Sequence, residues 1–119
     1  MNKTTIIAIF LSFLSLSSLA QPLPKREVRA VWLTTIGGLD WPHNYAQGYR
    51  SREKQQEEFR TLLDKYQKAG INTILLQTRI RATTIYPSAY EPWDGCLSGK
   101  PGVSPGYDAL AFAIEECHN

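Results

Sequence analysis

Histidine and cysteine are scarce in this sequence. Its 119 residues contain two of each. His43, His118, Cys96 and Cys117 lie too far apart to match any metal-ligand spacing. No metal and no cofactor is therefore expected. There is also no excess of charge of either sign. Thirteen Lys and Arg against eleven Asp and Glu leave a formal net charge of +2. Such a balance gives no electrostatic case for nucleic acid or for an anionic membrane surface. Repeats and low-complexity tracts are absent. Gly37-Gly38 lacks the spacing of a dinucleotide-binding loop, and Leu97-Ser98-Gly99 is not a nucleophile elbow.

Long apolar runs are also missing, with one exception. Ile6 to Leu16 is apolar, follows Lys3, and leads to small residues at Ser18 and Ala20. It is shorter than the roughly 20 residues a spanning helix needs. Together these features predict a signal peptide over residues 1–20 and export to the periplasm or the exterior of a bacterium. No membrane association is expected once it is cleaved. Removing Lys3 takes the net charge from +2 to +1. Residues 21–27, with Pro22 and Pro24, read as an extended leader. Export permits a disulfide. Spacing leaves two readings open, a Cys96–Cys117 bridge or a buried thiol at Cys117 with an incidental loop thiol at Cys96.

What remains is an α/β pattern. Val28 to Thr35 contains the apolar run Ala30-Val31-Trp32-Leu33 and reads as a strand covered on both faces. A loop with Gly37, Gly38 and Pro42 follows and runs through His43, Asn44, Tyr45 and Gly48. Ser51 is the expected helix N-cap. Phe59, Leu62, Leu63, Tyr66 and Ala69 then form one apolar stripe. Early glutamates (Glu53, Glu57, Glu58) and late lysines (Lys65, Lys68) suit the helix dipole. Gly70 is the expected left-handed stop. A second strand follows from Ile71 or Asn72 to about Arg79. A strand–helix–strand unit with such a short return link predicts two parallel strands.

Alternation along the strands places Ile74 and Leu76 under the helix, and Thr73, Leu75, Gln77 and Arg79 on the opposite face. The connections after the strands are long, the second covering about 80–107. Asp108 is the expected cap of a last helix with Leu110, Phe112, Ala113, Ile114 and Cys117 apolar. Ligands of α/β folds bind at the carboxyl ends of parallel strands. Trp32, Thr34, Gln77 and Arg79 are therefore candidates. A buried Arg79 requires a partner, either a substrate oxygen or a carboxylate of chain beyond residue 119. Trp41, Tyr45, Tyr86, Tyr90 and Trp93 either suit sugar faces or pack the long loops down onto the strand ends. Asp40, Glu91 and Asp94 are the loop acids, with no spacing that fixes a catalytic pair.

Several segments together resemble one family. These are Arg26-Glu27-Val28-Arg29-Ala30-Val31-Trp32-Leu33-Thr34-Thr35, the run Gly37-Gly38-Leu39-Asp40-Trp41-Pro42, and Asn72-Thr73-Ile74-Leu75-Leu76-Gln77-Thr78-Arg79-Ile80-Arg81. Ile85-Tyr86-Pro87-Ser88, Glu91-Pro92-Trp93 and Pro105 to Phe112 complete the set. The chain is similar in these to the start of the glycosyl-hydrolase-like 10 family of exported bacterial proteins. The resemblance implies a TIM-type (β/α)8 barrel acting on O-glycosidic bonds of a polysaccharide such as cell-wall glycan.

Such a barrel takes about 250 residues. Residues 28–119 would then be its first two strand–helix units, truncated, and inactive alone. The acid and nucleophile would lie beyond residue 119, so no catalytic residue is assigned. Trp32, Asp40, Gln77, Arg79 and Tyr86 are the expected substrate-lining residues by position. A non-catalytic glycan-binding module is the alternative, and a small two-layer domain complete in itself is a third.

Overall fold

The structure is a computed structural model and describes residues 26–43 and 49–119. The predicted signal peptide, the leader up to residue 25, and Asn44, Tyr45 and Gly48 lie outside these residues.

Two strands, β1 (Ala30–Leu33) and β2 (Thr73–Leu76), pair in parallel with Ala30 opposite Thr73 and Leu33 opposite Leu76. Helix α1 (Tyr49–Lys68) connects them. The strand–helix–strand unit is therefore as expected, but both strands are shorter than the apolar pattern suggests. Side chains add to the backbone ladder at each end. The Arg29 amide donates to Asn72 Oδ1 at 2.9 Å. At the other end Gln77 N–H reaches Leu33 O at 2.9 Å. The Thr35 hydroxyl then takes over Gln77 O, also at 2.9 Å.

α1 starts two residues before Ser51, so Ser51 lies inside the helix and is not its N-cap. Glu53 consequently sits beyond the first turn, where the dipole term fades. Lys65 and Lys68 do occupy the last turn. The helix closes as a Schellman motif. Ile71 N–H returns to Tyr66 O and Gly70 N–H to Gln67 O, both at 2.9 Å. Gly70 has φ +78, a conformation a side chain would strain. Ala69, expected on the apolar stripe, lies past the helix end and is exposed.

The stripe runs instead from Gln55 through Phe59, both fully buried, to Leu62, Leu63 and Tyr66. Phe59 packs at 4.9 Å between ring centroids against Trp41, and at 5.7 Å against Phe112. Burying one such side chain stabilises by about 1.5–3 kcal/mol. Leu33, Ile85, Leu97, Ala109 and Ala113 complete the core, with Ile74 and Leu76 packed against it from the sheet. Trp41 is thus a core residue and is not a ring presented to ligand.

The expected loop over 80–107 contains three short elements. β3 (Arg79–Ile80) and β4 (Thr83–Thr84) form an antiparallel hairpin. A single turn of helix, α2 (Gly95–Ser98), is capped by Asp94, whose side chain accepts from Cys96 N. Asp108 caps α3 (Ala109–His118) through Ala111 N at 2.9 Å, as expected. Arg60 joins α1 to α3 through Glu116 at 2.8 Å and stands 5.3 Å over the Phe112 ring. Ile114 and Cys117, expected on the apolar side of α3, are exposed.

Both cysteines are free, and their environments are the reverse of the expected ones. Cys96 is buried in the core, and burial with the nearby Asp94 pushes its thiol pKa up. Cys117 is exposed. Among the described residues no helix is long and apolar enough to cross a membrane, and no group of three His, Cys, Asp or Glu could hold a metal ion.

Gln55 is the polar exception inside the core. Its amide N–H donates to Leu97 O at 3.0 Å, and its Oε1 accepts from the Tyr107 hydroxyl at 2.8 Å. Its backbone carbonyl receives the Trp41 indole N–H at 2.8 Å. Gln55→Leu leaves the Leu97 carbonyl and Tyr107 hydroxyl unpaired in the core. It should destabilise the chain by about 2–4 kcal/mol in urea unfolding, since each orphaned buried group costs about 1–3 kcal/mol. A loss under half a kcal/mol would show the amide to be dispensable. A thiol-reactive dye should label one cysteine promptly in the native chain and the second only after denaturant is added. Prompt labelling of both would contradict the burial of Cys96.

Candidate functional site

The carboxyl ends of β1 and β2 are tied together by Gln77. Its side-chain Oε1 accepts from the Thr34 hydroxyl and, at 3.3 Å, from Thr35 N–H. Thr34 Oγ1 in turn receives Ile36 N–H at 3.3 Å, which starts the 3-10 turn Ile36–Gly38. Asp40 closes the same turn from the far side, with Oδ2 accepting Thr34 N–H at 2.8 Å. Two of the five predicted lining residues, Gln77 and Asp40, therefore meet at Thr34.

Trp32 lies on the sheet face away from α1 and is 63% exposed, beside the half-exposed Leu75. Arg79 is not buried. Its partner lies within the loop itself, Glu91, held by a fork in which Nε reaches Oε1 at 2.8 Å and Oε2 at 2.7 Å. A third contact joins Arg79 Nη2 to Glu91 Oε1. Hydrogen bonding from Arg79 draws the Glu91 carboxyl below its ordinary range, and Glu91 raises the guanidinium in return. Tyr86 is half-buried in the loop that this fork secures, and its carbonyl accepts the Thr84 hydroxyl at 2.8 Å. Ser88 Oγ receives the amides of Tyr90 and Glu91, each at 3.1 Å. The Tyr90 side chain is 96% exposed on this pinned loop, whereas Trp93 is packed against the core.

The acids of the loops all have internal partners. Asp94 accepts from Thr83 Oγ1 at 2.5 Å and from Cys96 N at 2.7 Å. Burial alone would raise its carboxyl pKa, but these donors and the charge of Arg81 outweigh burial and hold it low. A cleft of about 370 Å³ opens between the Ile36–Gly38 turn, the β3–β4 tip and α2, at the carboxyl end of β1. It is lined by Ile36, Ile80, Arg81, Asp94 and Cys96, with glycines between them. None of these was among the five lining residues expected from sequence.

Asp40, Glu91 and Asp94 thus hold Thr34, Arg79 and the α2 cap respectively, so none of these three loop acids is free for acid–base work. What the arrangement offers is a stiff polar rim with exposed aromatic rings, suited to contacting a ligand.

The family model for "Glycosyl hydrolase-like 10" matches residues 27–119. The chain belongs to this family. Among its relatives, "Glycosyl hydrolase YngK" of Bacillus subtilis (strain 168) is 42% identical over 105 residues, covering 88% of this chain and 20% of that protein. "Glycosyl hydrolase DigH" of Escherichia coli (strain K12) is 37% identical over 98 residues, covering 79% of this chain and 22% of that protein. The chain spans about a fifth of the length of these curated relatives. As a glycosyl hydrolase-like 10 sequence it has an α/β scaffold whose parallel strands end at the rim described above.

The Arg79–Glu91 fork sets an acid limit on that rim. A carboxyl whose pKa is lowered by folding stabilises above its unfolded pKa of about 4.3 and loses that contribution as pH falls through the lowered value. Amide exchange at Tyr90 and Glu91 should show steady protection factors from pH 7 to pH 5 and a drop below pH 4. Glu91→Gln should show the low protection already at pH 7. Unchanged protection in that variant would mean that Ser88 alone holds the loop.

Proposed function

We propose that this chain supplies the first wall of the substrate site of a secreted glycoside hydrolase, one that cleaves O-glycosidic bonds of a polysaccharide such as bacterial cell-wall glycan. The observation that carries this reading is membership of a glycosyl hydrolase-like family through relatives about five times longer. In the proposed whole protein, β1, α1, β2 and α3 are the first two units of a (β/α)8 barrel. The bare sheet face bearing Trp32 and Leu75 then turns inward, and Gln77, Asp40 and Thr34 set the height of the barrel mouth. The catalytic acid and its partner carboxylate lie on strands beyond Asn119. This fits the internal engagement of Asp40, Glu91 and Asp94. Export belongs to the same proposal and rests on the residue pattern of Met1 to Ala20.

A second reading is favoured by one observation. Tyr90 is almost fully exposed on a loop pinned by the Arg79–Glu91 fork and by Ser88. A rigid exposed ring of this kind suits stacking on a sugar without chemistry, as in a glycan-binding module.

Release of reducing ends from purified cell-wall glycan separates the two. The 119-residue chain should release none above buffer, and the protein encoded by its whole reading frame should release them steadily. Enzyme-like hydrolysis by this chain alone would sink the placement of the catalytic pair. Binding without hydrolysis by the whole protein would leave the glycan-binding reading.

A further inference from the structure

Gln77 stands one residue past β2, and its polar atoms are almost all occupied. Its N–H reaches Leu33 O and its carbonyl accepts the Thr35 hydroxyl, both at 2.9 Å. Its side-chain Oε1 accepts from the Thr34 hydroxyl and from Thr35 N–H. A backbone N–H can only donate, so the amide atom facing Thr35 is the oxygen and the NH2 group lies on the other side. The groups that hold the oxygen are themselves held. The Thr34 hydroxyl accepts Ile36 N–H at 3.3 Å and gives its own proton to Gln77, while Asp40 fixes Thr34 N–H at 2.8 Å. Among the described residues, nothing accepts from Gln77 Nε2.

The outcome is a pair of N–H donors of set direction with no free acceptor beside them. That selects among partners. A sugar hydroxyl both donates and accepts, and is met best by an amide with both ends free. An ionised carboxylate only accepts. Within the loops, Asp40, Glu91 and Asp94 are already engaged by Thr34, Arg79 and the α2 cap. Alternation along β2 puts Gln77 on the face of Trp32 and Leu75, where the sheet is bare.

We propose that Gln77 is a positioning residue, whose amide donates to an ionised carboxylate of the reaction carried on a later strand of the whole protein. The proposal rests on the hydrolase reading above and deepens it. Glycoside hydrolysis by either stereochemical course needs one carboxylate in its ionised form. A neutral donor aimed at that group favours the ionised form and fixes its orientation. The other charged groups near Gln77 are Asp40, across Thr34, and Arg79 with its partner Glu91, two residues along.

The test follows the Gln77 side-chain NH2 resonances by NMR from about pH 3 to about pH 7, which spans the ordinary carboxyl range. It compares the 119-residue chain with the protein encoded by its whole reading frame. In the whole protein, free of ligand, the resonances should follow a carboxyl titration that the shorter chain lacks. A response common to both belongs to Asp40 or Glu91. The second arm is hydrolysis of purified cell-wall glycan by variants of the whole protein. In Gln77→Glu the introduced carboxylate still accepts from Thr34 and Thr35 but donates nothing. The melting temperature of the 119-residue chain should therefore hold in this variant. In the whole protein kcat should fall about tenfold, and the acid limb of the rate should move up by about one pH unit through like-charge repulsion. KM should change little. Gln77→Leu loses clamp and donor but adds no charge, so it should lower the melting temperature and move the limb less.

Absence of the extra titration overturns the proposal, and so does an unmoved acid limb in Gln77→Glu. A raised KM with kcat and the limb unchanged makes Gln77 a substrate contact instead. Equal melting losses in Gln77→Glu and Gln77→Leu overturn the fixed amide on which the proposal stands. The two readings fail separately. Hydrolysis without the extra titration sinks this inference alone, and the extra titration without hydrolysis sinks the hydrolase reading alone.

Discussion

The buried amide of Gln55 is the constraint on which the packing of this chain depends. Three segments far apart in sequence converge on that one residue of α1. They are the loop after β1 through Trp41, α2 through Leu97, and the approach to α3 through Tyr107. Apolar contacts are tolerant of small shifts, but a hydrogen bond in a dry interior is not, because a displaced partner is left unpaired. Phe59, one turn along α1, supplies the apolar contacts with Trp41 and Phe112 around this fixed point. The aromatic cluster and the amide thus locate the long loops relative to the sheet, and the loops carry the rim.

Much of the scaffold was legible in the residues. Apolar runs and a 3.6-residue stripe gave two parallel strands and the helix between them. Gly70 and Asp108 terminate and cap the helices as their chemistry requires. The errors have physical causes. Gln55 was invisible because a polar side chain at a helical position reads as solvent-facing unless its partners are known. The β3–β4 hairpin was hidden because Arg81-Ala82 carries no turn signature. Only the threonine pair Thr83-Thr84 hinted at a strand. Cys96 and Cys117 exchanged places because burial followed the Asp94-capped turn, which no periodicity marks in four residues.

The candidate site was legible in outline and misread in detail. Alternation correctly brought Gln77 to the end of the sheet, but its role there is to clamp Thr34 and Thr35. Arg79 was expected to be buried and to take a substrate oxygen or a carboxylate of chain beyond residue 119, but it is exposed and pairs with Glu91, twelve residues on. A side chain one step outside a strand is free to turn back on its own loop, so strand alternation says little about it. The cleft around Arg81 and Asp94 was missed because it depends on the hairpin.

The open strand pair has a further consequence for the solution behaviour of this stretch. Among the described residues no third strand pairs with β1 or β2, and Trp32 and Leu75 leave one face greasy. A bare edge of this kind is a template for another copy's backbone, and natural sheets blunt such edges with charge. Here the blunting is uneven. Glu27 and Arg29 form an ion pair at the entry to β1, whereas the far end passes through Trp32 and Leu33 with no charged residue until Asp40. Resistance to edge-to-edge growth therefore falls along the strand, and colloidal stability is weakest at the end nearest the rim.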